Sequence, residues 1–126
     1  MEVFHIAESD YEPGILFDPN NGLLKIWGKA TPEDAFAFYK PAIEWLEKYL
    51  QTKPTRIKLQ FRLSYYNTAT SKIIIKILQM LEAYKKQSNA EIMVVWLYQP
   101  DDEEIMIAGE DFSEIVDLPF VLKPAD

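Results

Sequence analysis

Leu59-Gln60-Phe61-Arg62-Leu63-Ser64-Tyr65-Tyr66-Asn67-Thr68-Ala69-Thr70-Ser71-Lys72 is the stretch on which the fold turns. Ile57, Leu59, Phe61, Leu63 and Tyr65 alternate with Lys58, Gln60, Arg62 and Ser64. A period of two is a strand with one buried face. The period then changes. Ile74, Ile77, Leu78, Leu81 and Tyr84 recur at helical steps, and Lys85-Lys86 suit the negative end of the helix dipole. Between strand and helix, Tyr66 to Ser71 is rich in side chains that cap helices. Strand, tight turn and helix together form the repeating unit of an α/β protein.

Downstream, Ile92 to Tyr98 is continuously apolar, as expected for a central strand buried on both faces. Pro100-Asp101-Asp102-Glu103-Glu104 opens another helix, with an expected end near Gly109 or Phe112. Pro119 to Leu122 reads as a last short strand. Upstream, Thr31-Pro32-Glu33-Asp34 reads as a helix start, with Thr31 as cap and Pro32 in the first helical position. Phe36, Tyr39, Ile43, Leu46 and Leu50 mark one face of that helix, and Phe38, Ala42, Trp45 and Tyr49 a second. Pro41 inside it predicts a kink or a junction of two shorter helices. Before it, Asp18-Pro19-Asn20-Asn21-Gly22 is a strong turn signal and joins Ile15–Phe17 to Leu23–Trp27 as a hairpin. Val3 to Phe17 reads as one or two short strands broken at Pro13-Gly14.

Strands alternating with helices predict an α/β fold. The expectation is one domain over residues 1–126: a mixed, mostly parallel sheet of about five strands, an N-terminal hairpin and three main helices. Leu59, Phe61, Val94, Trp96, Ile74, Ile77, Leu81, Phe36, Ile43 and Leu46 are expected to share one core.

Composition narrows the function. The chain has 126 residues, 48% hydrophobic and 26% charged, which suits one globular domain. It has no cysteine and one histidine, His5. Thiolate metal sites, iron–sulfur clusters, multi-histidine metal sites and a cysteine nucleophile are excluded, and no cofactor or metal is expected. A net charge of −7 argues against general nucleic-acid or anionic-membrane binding. Met1 to His5 does not read as a signal peptide, and no run approaches a membrane span, so a cytoplasmic protein is expected. The charge is uneven. Residues 53–90 carry eight basic groups and one acid, Glu82, while residues 91–126 carry Lys123 against ten acids. Either neighbouring elements neutralise one another, or a basic patch near the Thr68 turn faces an anion or an acidic partner.

The catalytic inventory is poor. No glycine-rich phosphate loop is present, and the acidic run at Asp101 lacks the spacing of a calcium loop. The remaining candidate is Tyr65 to Lys72, at the C-terminal end of a strand where open α/β sheets bind ligands and partners. Its hydroxyls either cap the helix or offer a place for phosphate at the positive end of the dipole, with Lys72 or Arg62 adding charge.

This turn resembles the signature of the SiaC family of regulatory phosphoproteins: an apolar strand, an aromatic-Asn-Thr turn rich in hydroxyls, and a lysine opening a helix. The hairpin ending at Gly28, Thr31 to Asp34, Pro41 to Leu46, Val95-Trp96 and Leu118-Pro119-Phe120 are similar to family positions too. The resemblance implies a STAS-like fold, similar to anti-sigma-factor antagonists, and a non-enzymatic phospho-switch. It implies that a Ser/Thr kinase phosphorylates Thr68 and a PP2C-like phosphatase reverses this. The unmodified form would bind and activate a diguanylate cyclase, raising cyclic-di-GMP in biofilm signalling. Tyr65, Tyr66, Asn67, Thr68, Thr70, Ser71 and Lys72 are the implied partner-binding residues. Ala69 stands where a serine is common in the family. Two other readings remain: an anti-sigma-factor antagonist in a partner-switching module, and a small ligand-binding protein or hydrolase.

Overall fold

The computed structural model describes residues 1–126. Six strands and three helices follow one another as β1 (Phe4–Ile6), β2 (Gly14–Asp18), β3 (Leu23–Ala30), α1 (Ala35–Gln51), β4 (Arg56–Tyr66), α2 (Thr68–Ser88), β5 (Glu91–Tyr98), α3 (Glu103–Ile115) and β6 (Phe120–Pro124). All six strands join one sheet in chain order, β1-β2-β3-β4-β5-β6. The first three pair antiparallel, and β3 to β6 are parallel. The hairpin across Asp18–Gly22 is therefore present. The strand count is six rather than five, because Phe4–Ile6 pairs with Ile15–Phe17 as a separate strand.

Three successive crossovers step the same way across the sheet. Right-handed connections then put all three helices on one face. Burial agrees. Ile15, Phe17, Leu24, Ile26, Ile57, Leu59, Phe61, Ile92, Val94 and Trp96 are buried in one cluster with Ile43, Leu46, Ile74, Ile77, Leu81 and Phe112 from the helices. The strand positions between them are exposed or half-buried. β5 is thus covered on one side only, although its sequence is apolar on both: Met93 is exposed and Val95 half-buried.

Several local expectations are corrected. Asp34, not Thr31, caps α1, its carboxylate accepting from the Ala37 amide. Thr31 instead donates its hydroxyl to the Tyr11 carbonyl and ties down the N-terminal segment. Pro32 consequently precedes the helix, and Glu33 and Asp34 lie outside its first turn. Helix α1 runs through Pro41 as one element. Pro41 and Ala37 both face solvent, so water can take the carbonyl that the missing amide leaves free. Phe36 is exposed rather than in the core, since it sits one residue off the buried face that Ala35, Tyr39, Ala42 and Ile43 define. The second apolar stripe of α1 covers the N-terminal strands. Trp45 packs on Phe17, with ring centroids 5.4 Å apart, and donates to the Glu2 carbonyl.

Helix α3 continues past both Gly109 and Phe112 to Ile115. Gly109 is there for packing, because a Cβ would stand 2.3 Å from Trp96 Cδ1. The Trp96 ring is fully buried, and its indole N–H donates to the Ile105 carbonyl at 2.8 Å. No helix is long and apolar enough to cross a membrane.

Candidate functional site

Strand β4 delivers the turn. Near its end, Gly28 pairs with Leu63 but Lys29 pairs with Tyr65, so Ser64 is an extra residue, a β-bulge. A bulge shifts the alternation by one. Tyr65 therefore points away from the helices and is exposed, while Tyr66 turns toward them and packs on Phe112 at 6.0 Å between centroids. Burial, aided by the charge of Asp111, raises the Tyr66 phenol above its ordinary value. The two adjacent tyrosines face opposite sides of the sheet, so they do not form one contact surface.

Asn67 leaves the sheet with its amide donating to the Ala30 carbonyl, then caps α2 in an extended conformation. Its side-chain oxygen accepts from the Thr70 amide at 2.9 Å, and its carbonyl accepts from the Ser71 amide. The Thr68 and Ala69 amides have no intrahelical acceptor. The three hydroxyls that follow have different surroundings. Thr68 is the first helical residue and is exposed. Ser71 turns its hydroxyl back onto the Thr68 carbonyl at 2.6 Å.

Thr70 is 1% exposed and cannot meet a partner directly, contrary to the surface role expected of it. Its hydroxyl donates to the Ala30 carbonyl at 3.1 Å and lies 3.0 Å from the Tyr39 hydroxyl. With the Thr70 proton committed to Ala30, Tyr39 is the donor to Thr70. Burial pushes the Tyr39 phenol up to about 12, the Thr70 contact acting weakly the other way. The sequence marks Tyr39 only as part of an apolar helix face. A tyrosine where phenylalanine would fill the space is itself a signal, because a buried phenol needs a partner.

Of the three aliphatic hydroxyls of the turn only that of Thr68 is free, at the positive end of a 21-residue helix, with Lys72 exposed one turn on. His5 lies on β1, three strands away from β4. No group of three or more metal-binding side chains is present.

Known proteins share this fold. A family model described as SiaC family regulatory phosphoprotein matches residues 6–125. The chain belongs to the SiaC family. Among solved structures, this SiaC-family chain superimposes on SiaC of Pseudomonas aeruginosa with a TM-score of 0.90 at 27% identity, covering 99% of this chain and 100% of that one. It matches equally well, with a TM-score of 0.91 at 27% identity, the SiaC of Pseudomonas aeruginosa described as the activator in complex with the diguanylate cyclase SiaD, covering 97% and 99% of the two chains. A curated relative, an uncharacterized protein of Pseudomonas aeruginosa, is 29% identical over 126 residues, 100% of this chain and 99% of its own length. The SiaC-family fold accounts for the six-stranded sheet and its single helical layer.

Proposed function

We propose that this SiaC-family chain is a non-enzymatic cytoplasmic switch that binds and activates a diguanylate cyclase until Thr68 is phosphorylated. The observation that carries the reading is the separation of the hydroxyls. Only Thr68 is exposed and unengaged, whereas Thr70 is buried and Ser71 is bonded to the backbone. A Ser/Thr kinase can reach that hydroxyl, and a PP2C-like phosphatase can reach its phosphate. The related SiaC of Pseudomonas aeruginosa, described as the activator of SiaD, supports the choice of cyclase.

The physics of the switch is local. Phosphate adds about −1.5 to −2 charges, which the helix N-terminus and Lys72 favour. The fold therefore tolerates it. A partner seated on Tyr65, Asn67 and the outer side of α2 does not, because an unpaired dianion in an interface is costly to desolvate. Three samples test this: wild type treated with the cognate kinase, Thr68→Ala and Thr68→Asp. Thr68→Ala should activate the cyclase and resist the kinase. Thr68→Asp and the phosphorylated protein should lose activation while melting within a degree or two of wild type. Phosphate found by mass spectrometry on another residue, or full activation by Thr68→Asp, overturns the reading.

A further inference from the structure

The helices cover one face of the sheet and no helix or strand covers the other; only the Glu8 side chain, against Trp27, and Asp126, against Arg62, reach onto it. Parallel strands are normally buried on both faces by two helical layers, so four parallel strands with one bare side lack a layer. The bare side is not the polar surface that a solvated sheet presents. Leu16, Trp27, Val95 and Leu97 are half-buried on it, and Met93 and Val121 are 39% and 41% exposed. Cations stand among them. In register across the strands, Lys25 lies beside Gln60, which lies beside Val95; Arg62 lies beside Trp27, and Lys58 beside Met93. Lys123 follows beside Leu97.

None of these four cations has a carboxylate side chain within ion-pair reach. The sole ion pair of the chain joins Arg56 and Glu91 at the far end of the same strands. Arg62 meets only the backbone oxygen of Asp126, at 3.3 Å. A depression of about 490 Å³ opens between β3, β4 and β5, edged by Lys25, Trp27, Arg62, Leu97 and Tyr98, with one carboxylate, Glu8, which accepts from the Trp27 indole. In a chain of net charge −7, this is a concentrated cationic and apolar surface. Glu8 in the depression offsets part of this charge, and the cations of the face still outnumber it.

We propose that the bare sheet face is a second docking surface, separate from the Thr68 turn, and that it takes an acidic amphipathic helix of a partner protein. A helix supplies the layer that the parallel strands lack. Its apolar stripe would lie along Leu16, Val95 and Val121, and its carboxylates would meet Lys25, Lys58, Arg62 and Lys123. A second copy in the same orientation would bring cation against cation, which disfavours self-pairing. Six strands about 4.8 Å apart span about 24 Å, a distance that a helix of about 20 residues crosses.

The test uses the full chain, isotope-labelled, and a synthetic amphipathic helix of about 20 residues with leucines on one side and glutamates flanking them. A matched peptide carries lysines in place of the glutamates. The glutamate peptide should shift the amide resonances of Lys25, Gln60, Arg62 and Val95 and leave those of Lys72, Lys76 and Gln79 on α2 in place. The double variant Lys58→Glu/Arg62→Glu should bind it about tenfold more weakly or worse and should gain affinity for the lysine peptide. Both side chains point away from the core, so melting should be near wild type; Val95→Asp provides a second variant with the charges intact. Thr68→Asp should change neither peptide's binding, which separates this surface from the phosphorylation reading. Equal binding of both peptides, shifts confined to α2, or no binding overturns the proposal. Concentration-dependent sedimentation of the free protein that the double variant abolishes would assign the face to a second copy, and also overturns it.

Discussion

Two threonines two positions apart in one helical turn have opposite surroundings, and each leads to a measurable expectation. Thr68 faces solvent, so its replacement by alanine should leave stability within about 0.5 kcal/mol of wild type in urea. Thr70→Val keeps the shape but strands the buried Tyr39 phenol, while the Ala30 carbonyl keeps only the Asn67 amide. That should cost about 1–3 kcal/mol, whereas Tyr39→Phe leaves the Thr70–Ala30 bond intact and should cost about 0.5–1.5 kcal/mol. A silent Thr70→Val would mean the buried bond is not formed. The same phenol gives a pH dependence. An unfolded tyrosine ionises near 10, but folded Tyr39 keeps its proton to about 12. The unfolded state therefore binds fewer protons across that window, and stability should fall as pH rises from 10 to about 12. In Tyr39→Phe the fall should be shallower but still present, since burial also raises Tyr49 and Tyr66. A capped helix start between Tyr66 and Ser71 was legible in the sequence, because capping residue types and helix onset announce themselves locally, but which residue caps it was not. Which hydroxyl turns inward was not, since Thr70 and Ser71 read alike until β3 and α1 supply the Ala30 carbonyl and the Tyr39 phenol.

Two glycines separate what an element needs from what its neighbour imposes. A Cβ at Gly109 would meet Trp96, and a Cβ at Gly14 would meet the ring of Trp27, both at 2.3 Å. The Trp96 ring is enclosed and pinned to Ile105, so it cannot yield. Trp27 lies half-exposed on the bare face, held at its indole N–H by Glu8 at 3.1 Å, and can swing aside. Gly109→Ala gains about 1 kcal/mol of helix propensity but overpacks the core by about 1–3 kcal/mol or more. In chemical denaturation Gly109→Ala should destabilise the domain, and by more than Gly14→Ala does. The reverse order would place the strain on the sheet's outer face. Strand β4 and helix α2 were readable because a clean period of two gives way to steps of three and four. The three-residue β1 was too short to show a period. A glycine inside α3 looked like a stop, because composition does not tell a packing glycine from a terminal one. Strand β5 looked buried on both faces, but apolar residues report affinity for a covering layer, not its presence. The Ser64 bulge that turns Tyr65 outward and Tyr66 inward had no sequence mark, since it arises from the register against β3.

At the scale of the whole molecule, one hydrophobic cluster lies between one sheet and three helices. Ile77 and Leu81 on α2 are 1% and 0% exposed at its centre. Either residue changed to alanine should cost about 2–5 kcal/mol, read as a lower urea midpoint at constant slope. Losses below about 0.5 kcal/mol at both would show that α2 presents another side. Strand order along the sheet is identical to strand order along the chain. No strand has to be threaded between two that are already paired. Each segment leaving the ribosome can therefore settle on an edge its predecessors have completed, starting from the hairpin and moving one way. Synthesis and assembly can advance in step, with only the newest edge awaiting its next strand at any moment. The same sequential order governs disassembly: β6 can peel away without disturbing any other pairing, so its amides should exchange with solvent long before those of β4.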